Sequence, residues 1–271
     1  MDSSNRRCAA TKGLTILQWN CRSIINKVVL LEDYLSAFPQ QDVMMLQSLN
    51  CKPRELPELK GFYFPPVLGL EADKVQVATY ISKRLKYRSL DPLVPASSGC
   101  RLITCGIVVP VRRGKPISLV NVYYPQGCPN VQDTAWLCNL DSDKSDWIVA
   151  GDFNSRHKLW DPSYTCSADV SLAGSILNSN LVLLNDGSFT RLGQTGQRDT
   201  AIDLSLVSPG LSLDAVWYTG TDHLQSDHLP IHLEMGNVVP VEEEIDRVPK
   251  YHYRRADWDH FRSLLDMECV L

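Results

Sequence analysis

Polar side chains recur in this sequence at the ends of short apolar segments, and their types suit chemistry on a phosphodiester. Asn20 and Asp152 each follow a run of apolar residues, and Asp203 lies within another. Asp227 and His228 directly precede a fourth. Carboxylates, an amide and an imidazole fixed at the ends of strands are the groups that a metal-assisted phosphodiester site requires.

The spacing of these residues also suggests how they would divide the work. Asp227 offers an oxygen ligand for a hard divalent cation beside His228, which could orient the attacking water. Asp203 could hold His228 in one tautomer. A single aspartate before a strand is more often a turn residue, and a single histidine is more often structural. The recurrence of such residues in one structural context favours the catalytic interpretation.

Hydrophobic periodicity predicts the elements that must position these side chains. Helical spacing indicates helices over 23–38 and 169–178, and a weaker one over 131–140. The apolar segments predict strands at 14–20, 42–46, 75–81, 102–109, 117–123, 147–150, 181–184, 202–207, 213–219 and 229–234. Grouped strands with helices between the groups predict an α/β sandwich, in which two sheets pack face to face and helices lie outside.

Composition narrows the class of protein. The chain has 271 residues, 31 acidic against 27 basic, and a net charge of −4, which argues against a wholly basic nucleic-acid binder. The net charge of the whole chain does not exclude an enzyme with a local basic patch. Nine cysteines without a C-x-x-C pair indicate reduced thiols. With neither a membrane-length apolar run nor a secretory signal, we expect an intracellular protein without a membrane partner.

The character of the sequence changes after Gly236. An acidic run at 242–244 lies between two prolines, and a basic, aromatic segment follows at 250–255. We therefore predict a polar extension at 1–13, one domain at 14–236 and a linker at 237–271.

Five strings in order resemble the endonuclease/exonuclease/phosphatase superfamily, in particular the apurinic-type endonuclease domain of jockey-like non-LTR retrotransposons. They are QWNCRS at 18–23, NVYYP at 121–125, GDFNSRH at 151–157, AIDLSLV at 201–207 and SDHLPI at 226–231. The resemblance covers 14–236 and implies a DNase I-like, four-layered α/β sandwich of two mixed sheets flanked by helices. The segment 253–265 also resembles the linker to a reverse transcriptase, which implies that domain and DNA as partners.

The resemblance implies a role for each matching residue. The implied catalytic residues are Tyr123, Asp152, Asn154, Asp203 and His228. The implied metal position, for Mg²⁺ or Mn²⁺, comprises Asn20, Asp227 and residue 48. The implied substrate contacts are Ser226 and Thr190, and the basic residues nearest the site strings (Arg22, Arg156, Lys158, Arg191 and Arg198) are candidates for contacts with the DNA backbone.

One residue departs from the family pattern. The second strand of the family ends in Leu-Gln-Glu, whose glutamate is the main metal ligand, whereas this chain has Ser48. A neutral hydroxyl cannot replace that carboxylate on Mg²⁺. Glu55 and Glu58 follow in a proline-containing loop.

Three functions therefore remain open. The first is a nuclear, DNA-nicking endonuclease that primes reverse transcription, impaired by Ser48, with transit through the cytoplasm. The second is a catalytically dead DNA-binding module. The third is a different phosphodiesterase or phosphatase of the same superfamily.

Overall fold

A computed structural model describes residues 13–38, 40–63, 70–71, 73–93, 102–125, 129–162 and 170–243. The strands are β1 (Leu14–Asn20), β2 (Val43–Cys51), β3 (Phe62–Tyr63), β4 (Leu70–Glu71), β5 (Lys74–Ser82), β6 (Arg88–Ser89), β7 (Ile103–Val109), β8 (Ile117–Tyr123), β9 (Asp146–Asp152), β10 (Val182–Leu183), β11 (Asp203–Val207), β12 (Ala215–Thr219) and β13 (Ile231–Met235). The helices are α1 (Val28–Ala37), α2 (Val131–Thr134), α3 (Val170–Asn178) and α4 (Pro209–Ser212). Short 3₁₀ turns cover Pro53–Glu55 and Ala135–Asn139.

These strands form two mixed sheets. The first has the order β12-β13-β1-β2-β5-β3, with β4 also paired to β5, and the second has the order β10-β11-β9-β8-β7-β6. Within the described residues β1–β2 and β8–β9 are parallel, and the other named pairs are antiparallel.

Each sheet is buried on both faces, so its central strands are apolar almost throughout. On β1, Leu14 and Ile16 point into the core between the sheets, whereas Leu17 and Trp19 pack with Leu31 of α1. The outer face of the second sheet packs against α3 and the 3₁₀ turn after α2. The layers are thus helix, sheet, sheet, helix, which confirms the predicted α/β sandwich.

The predicted element bounds agree for 14–20 and 117–123 and differ most for the first helix. That helix begins at Val28 rather than at residue 23, because the chain between them continues the pairing with β2. Ser23 N donates to Ser48 O at 2.7 Å, and Ile24 N donates to Leu49 O at 3.1 Å. The predicted helix over 131–140 is a single α-turn followed by a 3₁₀ turn.

Strand register brings the polar ends of the strands to one edge of the sandwich. In β8–β9, Tyr123 lies opposite Asp152, and in β9–β11 Asp152 lies opposite Asp203. In the other sheet, Asn20 at the end of β1 lies opposite Gln47 of β2, one residue before Ser48. Side chains that are far apart in the sequence therefore meet at this edge.

The predicted linker begins too early. Residues 238–243 lie on the domain, where Val238 is buried and Val241 N donates to Pro110 O at 2.8 Å. Arg84 also forms an ion pair with Glu242 at 2.6 Å. The rest of the predicted linker, 244–271, and nearly all of the predicted extension lie outside the described residues. In the described part of the chain, no helix combines the length and apolar character needed to span a membrane.

Gly151 tests the register of the second sheet. A Cβ at this position would lie 1.9 Å from Val122 O, so any side chain pushes β8 and β9 apart. We expect Gly151→Ala to lower the free energy of unfolding by about 3 kcal/mol or more in urea titrations. The matched control is Gly174→Ala in α3, where nothing lies within 4 Å of the added Cβ. It should raise stability by about 0.5–1 kcal/mol, and equal effects of the two changes would contradict this packing.

Candidate active site

His228 forms the centre of the site. Its Nδ1 lies 2.8 Å from Asp203 Oδ2, and the same oxygen accepts a hydrogen bond of 2.7 Å from Thr190 Oγ1. All three residues are buried. The backbone carbonyl of His228 accepts a 3.1 Å hydrogen bond from Trp19 Nε1, which ties the segment before β13 to β1. Asp203 therefore fixes the orientation of the imidazole and leaves Nε2 facing the site.

Asp152 lies on the other side of His228. Its Oδ2 is 4.0 Å from His228 Nε2 and accepts a 2.7 Å hydrogen bond from Asn20 Nδ2. Its Oδ1 accepts 2.8 Å from the backbone N–H of Asn154, whose positive φ of 47° turns the chain back over the carboxylate. Asp152, Asp203 and His228 each offer an atom within 4.8 Å of the others.

Burial and mutual charge shift the protonation of this cluster. Burial and the neighbouring Asp203 raise the pKa of Asp152 to about 7, against the opposing effect of His228. Burial alone would lower the pKa of His228, but the charges of Asp203, Asp152 and Asp227 outweigh it and raise that pKa to about 9. At neutral pH His228 is therefore an imidazolium ion that can stabilise negative charge.

Asp227 is held by two arginines. Its Oδ2 lies 2.9 Å from Arg22 Nη1 and 3.0 Å from Arg191 Nη2. Burial tends to raise the pKa of Asp227, but His228 and the two arginines together lower it, so the carboxylate is ionised. Its Oδ1 lies 4.0 Å from His228 Nε2 and is buried without a hydrogen-bond partner in the described residues.

Ser48 takes the position at which the resemblance implies a glutamate. Its backbone has a φ of +54°, and its Oγ accepts 3.0 Å from Asn50 Nδ2 and lies 3.4 Å from the hydroxyl of Tyr123. Neither nearby glutamate replaces the missing acid. Glu55 caps the turn by accepting 2.8 Å from Lys52 N, and Glu58 is exposed.

The donor set fits a divalent cation, although with less negative charge than the resemblance implies. Asp227 Oδ1 is a buried carboxylate oxygen without a hydrogen-bond partner in the described residues. Mg²⁺ typically binds one or two carboxylates and keeps several waters. The amide of Asn20 is committed at both ends, because it donates to Asp152 and accepts 3.0 Å from Arg22 N. A neutral hydroxyl at Ser48 therefore leaves this edge with one carboxylate fewer than the resemblance implies.

The structure brings most of the predicted site residues together. Ser226 Oγ donates 2.7 Å to the carbonyl of Asn20 and accepts 3.2 Å from His228 N, so its hydroxyl serves the local backbone. Asn154 Nδ2 donates 2.8 Å to Tyr124 O. Three basic residues that were predicted to contact DNA have exposed side chains and lie outside the buried centre (Arg156, Lys158 and Arg198).

Sequence reasoning missed Lys27, which positions Arg22. Its Nζ donates to the carbonyls of Cys21 and Arg22, and it is buried beneath the turn at 22–23, where both residues have positive φ. The helical spacing of 23–38 obscured this role, because the lysine falls on a segment that we predicted as regular helix.

Comparisons with known proteins agree with this geometry. A sequence profile of a family described as Endonuclease-reverse transcriptase matches residues 117–232, which include Tyr123, Asp152, Asp203 and His228. The fold is similar to the endonuclease domain of TRAS1, a telomere-specific non-LTR retrotransposon, with a TM-score of 0.63, 16% identity, and 82% of this chain and 98% of that chain covered. The structural likeness shows that the two chains share a fold.

Two further proteins extend the comparison. The AP endonuclease LMAP of Leishmania major superposes with a TM-score of 0.65 and 17% identity over 83% of this chain and 88% of that one. A probable RNA-directed DNA polymerase from transposon X-element of Drosophila melanogaster is 27% identical over 267 residues, covering 93% of this chain. This chain spans 27% of the length of that relative. In the described residues, Asp152, Asp203 and His228 form a cluster that could hold a metal ion.

The pKa of His228 provides a test of the site in the metal-free protein. Its raised pKa stabilises the folded state below the unfolded value of about 6.5, and this contribution is lost as pH rises through about 9. We expect the free energy of unfolding to fall by on the order of 2 kcal/mol over that interval in EDTA, and His228→Gln to lose this part of the profile.

The control is Asp203→Asn, which should lower the pKa of His228 measured by NMR titration, because it removes the closest charge. A pKa of His228 near its ordinary value in the wild-type protein would contradict the arrangement.

Proposed function

We propose that this domain hydrolyses a DNA phosphodiester with the help of a divalent cation, Mg²⁺ or Mn²⁺, and leaves a nick that primes reverse transcription. The observation that carries the proposal is the buried cluster of Asp152, Asp203 and His228 beside the open oxygen of Asp227. It combines an imidazolium, a carboxylate near neutral pKa and a cation ligand at one edge of a nuclease fold.

The side chains divide the reaction as follows. His228, oriented by Asp203, stabilises the charge that develops on the phosphoryl oxygens. Asp152 orients the attacking water or returns a proton to the leaving oxygen, and Asn20 holds it in place. Tyr123, Asn154 and Arg191 contact the phosphate at the entrance. A divalent cation held by Asp227 beside Asn20 and Ser48 would add Lewis-acid stabilisation.

DNA is the proposed substrate, and a reverse transcriptase is the proposed partner. A structural neighbour, the 3′ phosphatase NExo of Neisseria, is bound to a product DNA hairpin. The Drosophila relative is named as an RNA-directed DNA polymerase and is much longer than this chain. We infer that the domain works on target DNA in the nucleus as part of a retrotransposon polyprotein.

The second candidate is a DNA-binding module without hydrolysis, and the neutral hydroxyl of Ser48 favours it. Such a module would bind DNA with an affinity that falls as salt rises, because phosphate contacts release counterions. It would nick supercoiled plasmid at no concentration of Mg²⁺ or Mn²⁺.

Substitution of Ser48 separates the two candidates. We expect the wild-type protein to nick plasmid only at high Mg²⁺, and Ser48→Glu to lower the half-maximal Mg²⁺ concentration at least about tenfold, because it adds a carboxylate ligand. Ser48→Gln is the matched control, since it has the same size without the charge and should show no gain. If wild-type protein is inert and Ser48→Glu remains inert as well, the hydrolytic proposal fails.

Arg22 should act on metal and DNA in opposite directions. Its guanidinium neutralises Asp227 and is 57% exposed at the side-chain level, so it can also contact a phosphate. We expect Arg22→Ala to strengthen Mn²⁺ binding in the absence of DNA, measured by electron paramagnetic resonance, and to weaken DNA binding by about three- to tenfold. Arg22→Lys should restore most of the DNA affinity. Parallel losses in both assays would contradict this role.

A further inference from the structure

The strongest local excess of positive charge in the described chain lies in two loops. Residues 83–89 contain four basic residues and no acid, and residues 110–116 contain three basic residues and no acid. The whole chain has a net charge of −4 even though it includes these basic residues. The rest of the chain is therefore more acidic than that net charge alone indicates. The basic residues of the two loops are Lys83, Arg84, Lys86, Arg88, Arg112, Arg113 and Lys115.

Both loops lie at the end of the sandwich opposite the active site. The loop at 110–116 precedes β8, whose last residue, Tyr123, lies at the site. The loop at 83–89 follows β5, which runs antiparallel to β2 and away from the Ser48 end. At about 3.3 Å per residue, the seven residues of β8 separate the two ends by roughly 20 Å.

The segment 238–243 joins the two loops into one surface. Lys86 N donates 3.1 Å to Val241 O, and Arg112 N donates 2.9 Å to Val239 O. Isolated bridges between Leu85 and Glu242 and between Val111 and Pro240 extend this pairing. The backbones of Lys86 and Arg112 are therefore fixed along the same extended segment.

Most of these cations are not neutralised by the protein. Arg84 is bound by Asp42 and Glu242, and Lys115 donates 2.6 Å to Ser142 O beside the acidic turn at 141–146, which borders the surface. Among the described residues, the other five form no ion pair, and all five are exposed. These five define the distal basic surface: Lys83, Lys86, Arg88, Arg112 and Arg113.

We propose that the distal basic surface binds the phosphate backbone of a nucleic-acid segment other than the one at the active site. Unpaired, exposed lysine and arginine side chains on a fixed backbone are the groups that neutralise phosphates and release counterions. The scissile phosphate at the site would lie roughly 20 Å from these side chains, so they would contact a different segment of nucleic acid. This contact does not depend on cleavage.

Charge reversal on the distal basic surface tests the proposal. In EDTA, we expect the full chain to bind fluorescently labelled single-stranded RNA, single-stranded DNA and duplex DNA. The affinities for these three probes show which kind of nucleic acid the surface prefers. Lys86→Glu/Arg112→Glu should weaken binding of the preferred probe at least about tenfold. It should also reduce the slope of log affinity against log salt by roughly 1.5–2, as expected for two lost phosphate contacts.

The matched control is Lys52→Glu/Lys74→Glu, which changes the net charge equally but lies at the other end of β2 and β5, where Cys51 pairs with Val75. Both lysines are exposed. If both double variants lose affinity equally, or if neither does, the proposal is overturned. Lys86→Gln/Arg112→Gln, checked by thermal melting, provides the same comparison with a milder change if the charge-reversed variant does not fold.

Discussion

The arrangement of His228 between two buried aspartates constrains the whole edge of the sandwich at which the sheets meet. Burying three ionisable groups is costly unless each is paired and hydrogen-bonded. Thr190, in the loop between β10 and β11, and Asn20, at the end of β1, supply those hydrogen bonds. A slip of one residue between β9 and β11 would turn Asp152 or Asp203 to the other face of the sheet, so the register cannot drift without exposing uncompensated charge.

The sequence predicted the centre of the site because its residues lie where strands begin or end. Asp152 closes β9 and Asp203 opens β11, and apolar runs mark both positions clearly. The ion pair between Arg22 and Asp227 was not predictable. It depends on a turn with positive φ at Arg22 and on the buried Lys27 beneath that turn. The domain boundary at Gly236 was placed too early because Pro240 and the acidic run resemble a linker, whereas Val238 and Val241 contact the core and its edge loops.

The charge of the site differs from what the family pattern implies. Ser48 contributes no negative charge, and Arg22 with Arg191 neutralises one oxygen of Asp227. By Coulomb's law, both features are expected to lower the affinity for a divalent cation and to raise the affinity for phosphate. At the opposite end, the distal basic surface adds exposed cations that no described acid neutralises. The domain therefore combines a candidate active-site edge that carries less negative charge than the resemblance implies with a positively charged surface at its opposite end.

The chemistry of the break tests the account most directly. Plasmid treated with the protein and Mg²⁺ can be given to a DNA polymerase with labelled nucleotides and no other enzyme. The account predicts extension from the nick in wild-type samples, because the proposed hydrolysis leaves a free 3′ hydroxyl, and none in His228→Ala samples. Breaks that need a phosphatase before extension, or nicking that survives His228→Ala, would contradict it.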